Sequence, residues 1–388
     1  MKKVISGYGV ISSIGNNCSE SLQNFKKGVR NAKPVSIFQT SLKNPVFEVR
    51  NLQFSKEFPN QRTIALLFNA ASEALKSANL DKDRGSYRIG VCLGTTVACQ
   101  LNDIDFYRSL KKEHKFNIAP VDSYLKNNLA NALSDTLNLK GPTLTVVNAC
   151  SSGADAIGIA AQWINNDLCD IVITGGADEL NLVPLTGFAS LGILSNELCS
   201  PFDKNRSGLN LGEGAGIVIL ESQEHAKKRG ITSDILFSGY SSAADAYHLT
   251  APSPDGKGLK KAILSVLSNS SIKPEMISFI NAHGTSTRDN DITEAKVFID
   301  IFGKDLLFLS TKGYTGHTLG AAGGIEAVFT VMALKENWIP QSAGFKDLDE
   351  EISISPATSV TCIDGKFAIS TSLAFGGNNS VLLFEKIS

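Results

Sequence analysis

The 388-residue chain lacks any paired-cysteine pattern: Cys18, Cys92, Cys99, Cys150, Cys169, Cys199 and Cys362 are odd in number, with no C-x-x-C and no regular spacing. That excludes a disulfide framework and a structural zinc site and fits a reducing cytoplasm. Charge of one sign is also missing. With 37 basic and 38 acidic residues the formal net charge is −1, so no global field draws the chain to nucleic acid or anionic lipid. Long apolar runs are absent. The two longest uncharged stretches, 180–196 and 367–384, are broken by Pro184, Gly187 and Gly192 and by Gly376, Gly377, Asn378 and Asn379, and make poor membrane spans. The N-terminus opens like a signal peptide, but Gly7, Gly9 and Ser12 interrupt it and no small-residue cleavage site follows, so it reads as a first strand. Gly7-Tyr-Gly9-Val-Ile-Ser12 lacks the third glycine of G-x-G-x-x-G, which rejects a dinucleotide-binding oxidoreductase.

What is present is enough apolar residue, 43%, to fill a large core as two domains or one double-layered unit. Two echoes run through the chain. Val4-Ile-Ser-Gly-Tyr8 returns as Leu236-Phe-Ser-Gly-Tyr240, and a glycine turn feeding an apolar strand that ends in Glu occurs at 214–221 and again at 377–385. An internal duplication is the simplest account. Short apolar strands at 89–93, 171–174, 217–220, 279–281, 306–309 and 381–384 alternate with helix-period segments, the pattern of βαβ units with buried, largely parallel sheets. Two similar α/β halves, 1–232 with the insertions and 233–388, are expected to share one core and divide near Ser233.

Three potential catalytic groups follow strand-like runs. In 145–164, Val146 and Val147 read as the end of a buried strand, and Ala154, Ile157, Ala161 and Ile164 mark one face of a helix that starts just after Cys150. A thiol there meets unpaired N–H groups and the positive end of the helix dipole, which favour the thiolate. A cysteine in an apolar stretch is as often packing as chemistry. Only five histidines occur, and His283 follows 277–280 while His317 follows 306–309, each among small residues. In a doubly wound sheet such strand ends open on one crevice, and Cys with His is a recurrent nucleophile constellation.

Ala149-Cys150-Ser-Ser-Gly, Asn281-Ala-His283-Gly-Thr285-Ser-Thr287, Lys312 with Gly316-His317-Thr-Leu-Gly-Ala-Ala-Gly, and Phe375-Gly-Gly-Asn378 resemble the motifs of elongating β-ketoacyl-[acyl carrier protein] synthases (type II) of the thiolase-like superfamily. Pro201-Phe202-Asp-Lys-Asn-Arg206-Ser-Gly, Gly212-Glu-Gly-Ala-Gly and Asp245-Ala-Tyr-His248 extend the resemblance over nearly the whole chain. It implies a five-layer αβαβα sandwich of two duplicated halves and a decarboxylative Claisen condensation. Cys150 would carry the acyl chain, His283 and His317 would donate to the enolate, and the N–H groups of Cys150 and Phe375 would form the oxyanion hole. Lys312 would pair with Glu326, as a structural ion pair or with a direct role. Thr285, Thr287, Phe202, Phe375 and His248 would meet the substrate or its pantetheine arm, supported by Asp291, Gly376 and Gly377, although 285–294 also reads as a helix cap with a capping box at Asp291 and Glu294.

No metal and no cofactor of its own is implied beyond the phosphopantetheine arm of acyl carrier protein. That partner would dock on a basic patch, with Lys26, Lys27, Arg30 and Arg62 as candidates. A homodimer is expected, or a heterodimer with a related subunit. A thiolase is disfavoured because Phe375-Gly-Gly stands where a second catalytic cysteine belongs, an initiating synthase because both histidines are present, and a non-catalytic chain-length-factor subunit because Cys150 is kept. The chain departs from the family at Ala374, which replaces the first glycine of the gating turn, at Asn378, which replaces a threonine, and at Thr95–Cys99, where a glycine-rich turn is usual. The Ser-Ser-Gly after Cys150 and the changed gating turn tilt the reading towards a specialised polyene, polyketide or unusual-lipid pathway over primary fatty acid synthesis, and the Thr95–Cys99 change means that the family's chain-length preference does not carry over.

Overall fold

The computed structural model describes residues 1–387 apart from 83, 85, 86, 100–103, 115, 116, 120 and 123–127. Among these, one sheet is built from β1 (Lys3–Ser12), β2 (Ile89–Gly94), β3 (Thr143–Val146), β4 (Ile171–Asp178), β5 (Gly214–Ser222), β6 (Ile235–Ala244), β7 (Ile277–Asn281), β8 (Phe308–Leu309), β11 (Phe367–Ala374) and β12 (Asn378–Lys386). A separate two-stranded ribbon pairs β9 (Trp338–Ile339) with β10 (Thr361–Cys362). The order β3-β2-β4-β5-β1-β6-β12-β11-β7-β8 is a palindrome of connections: outward from β1 and outward from β6, each side places its own strands in the same sequence. The echoed segments meet at the seam, where Lys3 pairs with Phe237 and Val4 with Leu236. Of the serines in the two echoes, the Ser6 hydroxyl donates to Ile219 O at 3.5 Å and the Ser238 hydroxyl to Glu385 at 3.0 Å.

The sheet is mixed, contrary to the largely parallel one expected. β2 runs parallel to β3 and β4, and β7 to β8 and β11, but every pairing from β4 across the seam to β11 is antiparallel. The reason lies in the connections: β11 and β12 are joined by a tight glycine turn, which only antiparallel strands allow. The strand before Cys150 is not buried either. β3 is an outer strand, with its Leu144 40% exposed and Val147, the residue after it, 67% exposed.

Helices Ser152–Asn165 and Ala322–Glu336 touch strands of both sides of the seam and each other. Arg62–Ser77 covers β1, β4 and β5, and Lys257–Ser270 covers β6 and β12, so the layers stack αβαβα. From Ala322 to Leu334 this second helix is buried all round and apolar apart from Glu326 and Thr330, as a central helix must be, and only its last residues, Lys335 and Glu336, reach solvent. It approaches its counterpart through glycine. A Cβ on Gly153 would lie 2.8 Å from Gly324 N and 2.9 Å from Gly320 O. This close crossing sets the two helix starts, and so Cys150 and His317, beside one another. Among the described residues no helix is long and apolar enough to cross a membrane.

Candidate active site

Cys150 sits where β3 has ended and the central helix has not begun, on a turn forced by Ala149 at φ +48°. Ser151 and Ser152 stitch that turn: the Ser151 hydroxyl donates to Asn148 O at 2.9 Å and the Ser152 hydroxyl to Ala149 O at 2.7 Å. The thiol is 5% exposed and accepts a hydrogen bond from the Phe375 backbone N–H. The helix start alone predicts a thiolate, but burial outweighs it and pushes the thiol up to about 11, with the Lys312 charge and the Phe375 N–H pulling the other way. At rest the Cys150 side chain is a thiol.

Both histidines are buried, their rings edge to face with centroids 5.1 Å apart. His317 Nδ1 accepts the Leu319 N–H at 3.1 Å, and His283 Nδ1 faces Lys312 Nζ at 3.1 Å. With Nδ1 occupied by a donor in each ring, the ring proton stands on Nε2. Burial and the Lys312 charge hold both well below the ordinary histidine value, so both stay neutral. Lys312 also donates to His283 O at 2.7 Å and is bonded to Glu326. Burial pushes the Glu326 carboxyl up to about 7 against the pull of Lys312. The ammonium is thus both an ion-pair partner and the group that fixes the His283 tautomer.

Phe375 and the turn after it complete the enclosure. Gly376 and Gly377 take φ +87° and +79°, a shape that requires glycine, while Ala374 ends β11 outside the left-handed region and is unstrained. The Phe375 ring stacks on Phe188 with centroids 5.4 Å apart. A cavity of about 350 Å³ is lined by Cys150, His283, His317, Phe375, Thr285 and Thr287 among others. Thr287 occupies the cap position of the helix Arg288–Phe302, but its hydroxyl meets that of Thr285 at 2.8 Å and caps nothing. The capping box expected at Asp291 and Glu294 does not form, because the helix starts earlier and both acids point inwards. Asp291 accepts the Phe202 and Ser286 N–H groups at 2.7 and 3.2 Å.

Two predicted contacts fail. Phe202 does not reach the cavity: it is fully buried, edge to face with Phe308 at 5.0 Å, because its left-handed backbone turns the ring into the core. His248 is exposed and off the cavity wall; its Nδ1 accepts the Thr250 and Ala251 N–H groups at 3.1 and 3.2 Å and shapes the segment that does line it. Two docking candidates fail as well. Arg62 is buried, donating from Nε to Glu213 at 2.7 Å, and Arg30 donates to Gly313 O at 2.7 Å beneath Lys312. Lys26 and Lys27 remain exposed.

Sequence reasoning missed two buried acids. Glu294 receives the N–H groups of His283 (2.9 Å) and Gly284 (2.6 Å) and the Thr371 hydroxyl (2.9 Å), fixing the His283 backbone; burial pushes it up to about 7. Asp178 receives Thr95, Thr96, Val97 and Gly320, tying the Thr95–Cys99 turn to the start of the second central helix; burial pushes it up to about 6. An acid closing an apolar strand or set inside a buried helix was the available signal.

The family model of the beta-ketoacyl synthase N-terminal domain matches residues 4–226, and that of the C-terminal domain residues 236–346. A 3-oxoacyl-[acyl-carrier-protein] synthase 2 of Staphylococcus aureus (strain N315) is 34% identical, across 99% of this chain and 98% of its own. Among solved structures, the ishigamide ketosynthase/chain length factor superposes with a TM-score of 0.91 at 27% identity, across 100% of this chain and 99% of that one. A type II PKS acyl-carrier protein in complex with its ketosynthase bound to the hexaketide gives 0.91 at 26%, with the same coverage.

Proposed function

The chain belongs to the beta-ketoacyl synthase family, a thiolase-like condensing acyltransferase, and from that premise we propose which of its residues perform each step. Cys150 attacks an acyl thioester on acyl carrier protein, the carrier thiol leaves with the proton, and the chain rests on Cys150. Malonyl carrier protein then enters, its pantetheine arm held by the Thr285 and Thr287 hydroxyls. Carbon dioxide departs with cleavage of the malonyl C–C bond, and the enolate oxygen takes hydrogen bonds from Nε2–H of His283 and His317. The carbanion attacks the acyl carbonyl; the new oxyanion rests on the N–H groups of Cys150 and Phe375 and collapses by expelling the Cys150 thiolate. Each such donor is worth roughly 3–4 kcal/mol in the transition state. The reading is carried by one observation: a thiol, two neutral histidines and the Phe375 N–H meet at one buried cavity.

Acyl carrier protein is the partner, docking in part through Lys26 and Lys27, and no other cofactor is required. The exposed outer strand β3 supports a homodimer, and the ketosynthase/chain length factor neighbour supports a heterodimer as the alternative. We place the enzyme in the cytoplasm, its two halves meeting near Ser233, and assign it a specialised lipid or polyketide pathway because of Ala374, Asn378 and the Thr95–Cys99 turn. Purified protein given acyl- and malonyl-carrier protein should release carbon dioxide and extend the chain by two carbons. Cys150→Ala should abolish extension, Cys150→Gln should still decarboxylate malonyl carrier protein, and His283→Ala should not. Extension by Cys150→Ala, or normal decarboxylation by His283→Ala, overturns the assignment.

A further inference from the structure

A second polar chain, separate from the catalytic one, links the base of the Phe375 turn to the nucleophile loop. Asn378, the first residue of β12, donates from Nδ2 to Asn148 Oδ1 at 2.8 Å. Asn148, two residues before Cys150, donates from Nδ2 to Asp155 Oδ2 at 2.6 Å. Asp155 lies in the first turn of the helix that Cys150 precedes and is 5% exposed. It accepts from Ser151 at 2.8 Å and from Tyr240 at 3.0 Å, and is bonded by Ser380. Tyr240 and Ser380 belong to β6 and β12, so one carboxylate gathers donors from both sides of the seam.

Direction in this chain is imposed, not chosen. Asp155 is the acceptor for Asn148, Ser151, Tyr240 and Ser380 alike, so Asn148 turns its NH2 to Asp155 and its carbonyl to Asn378, and Asn378 presents its own NH2. The pivots of the turn are correspondingly restricted: Ala374 stands on one side, Asn378 is anchored on the other, and left-handed freedom is left only to Gly376 and Gly377. The closed turn places the Phe375 N–H on the Cys150 thiol and the Phe375 ring on Phe188.

We propose that Asn378 is a positioning residue: its amide, aligned by Asp155 through Asn148, latches the Phe375 turn shut over Cys150 and times acyl access to the thiol. This rests on the reading above in one respect, that the Phe375 turn shields the nucleophile. Loss of the latch leaves every group that touches substrate in place but lets the turn open more often.

The test is the second-order rate of Cys150 alkylation by iodoacetamide at fixed pH, read by mass spectrometry of the Cys150 peptide, which needs no turnover. Asn378→Thr, a residue suited to a strand start, and Asn148→Ala should each raise the rate about 5- to 10-fold, with Phe375→Ala raising it at least as much. The double variant Asn378→Thr/Asn148→Ala should match the singles and not multiply them, because one latch is lost once. Acyl loading from acyl carrier protein should show the gain in KM more than in kcat. Near-native circular dichroism and melting temperature verify folding, and Asn378→Ser replaces any variant that fails there. A rate within 2-fold of the parent for both single variants while Phe375→Ala speeds alkylation overturns the latch and leaves the gate standing. An unchanged Phe375→Ala overturns the shielding itself and the latch with it.

Discussion

Cys150 shows how a residue's surroundings decide its chemistry more than its local motif does. Its place before a helix was legible, as were His283 and His317, because each follows an apolar strand run and stands among small residues. The ionisation was not. Burial competes with the helix end and the Lys312 charge and wins, pushing the thiol up to about 11, and burial is a property of everything packed above the residue. Alkylation of Cys150 should therefore rise about tenfold per pH unit from 7 to 9 without a plateau, because the thiolate fraction is still small throughout. A plateau near pH 8 in iodoacetamide kinetics would contradict this. The histidines behave in the opposite sense. Held well below the ordinary value, they stay neutral on acidification through 6.5, so their Nε2–H donors remain in place where exposed histidine would charge. Glu294, read as part of a helix cap, and Asp178, passed over, were missed for a related reason: their donors come from distant segments, and only packing brings them together.

At the scale of elements, helices were read better than strands. The period of Ala154, Ile157, Ala161 and Ile164 marks a buried face whatever packs against it, and all four are buried in the helix Ser152–Asn165. Strand direction carries no such local signature, which is why a largely parallel sheet was expected and a mixed one formed. The capping box at Asp291 and Glu294 failed similarly, since the same spacing serves a cap or two inward-facing acids and the loops around Phe202 and His283 supply the donors. The crossing of the two central helices is where element packing sets catalysis. Gly153→Val would press a branched side chain on Gly320 O and Gly324 N, both backbone atoms that cannot step aside. Urea unfolding should register a loss of about 1–3 kcal/mol, accompanied by a fall in condensation, because Cys150 and His317 stand at the ends of the displaced helices. Full stability with Val at 153 would mean that the helices do not depend on this approach.

The whole molecule is a duplicated sheet whose halves share a core, and its outermost strand on the nucleophile side is open. Leu144 on β3 and Val147 just after it are 40% and 67% exposed at a free sheet edge, the arrangement a second copy would complete by pairing strand to strand. Val147→Lys is expected to shift light scattering from twice the mass of the chain, 41.4 kDa, to that mass while leaving the circular dichroism unchanged. A parent protein that is already monomeric would remove this interface. The sequence by itself determined the duplication and the reaction class and marked Cys150, His283 and His317 as the candidate groups, because these reside in ordered local motifs and in repeated apolar patterns that need no partner to be read. Tertiary structure alone decided which way the strands run, that Phe202 is core and Arg62 is locked to Glu213, and that the Cys150 thiol is protonated at rest. It also decided that Asn378 is tied through Asn148 to Asp155. Each of these depends on groups brought together from far apart in the chain, where burial and hydrogen-bond partners are set by packing and leave no trace in local spacing.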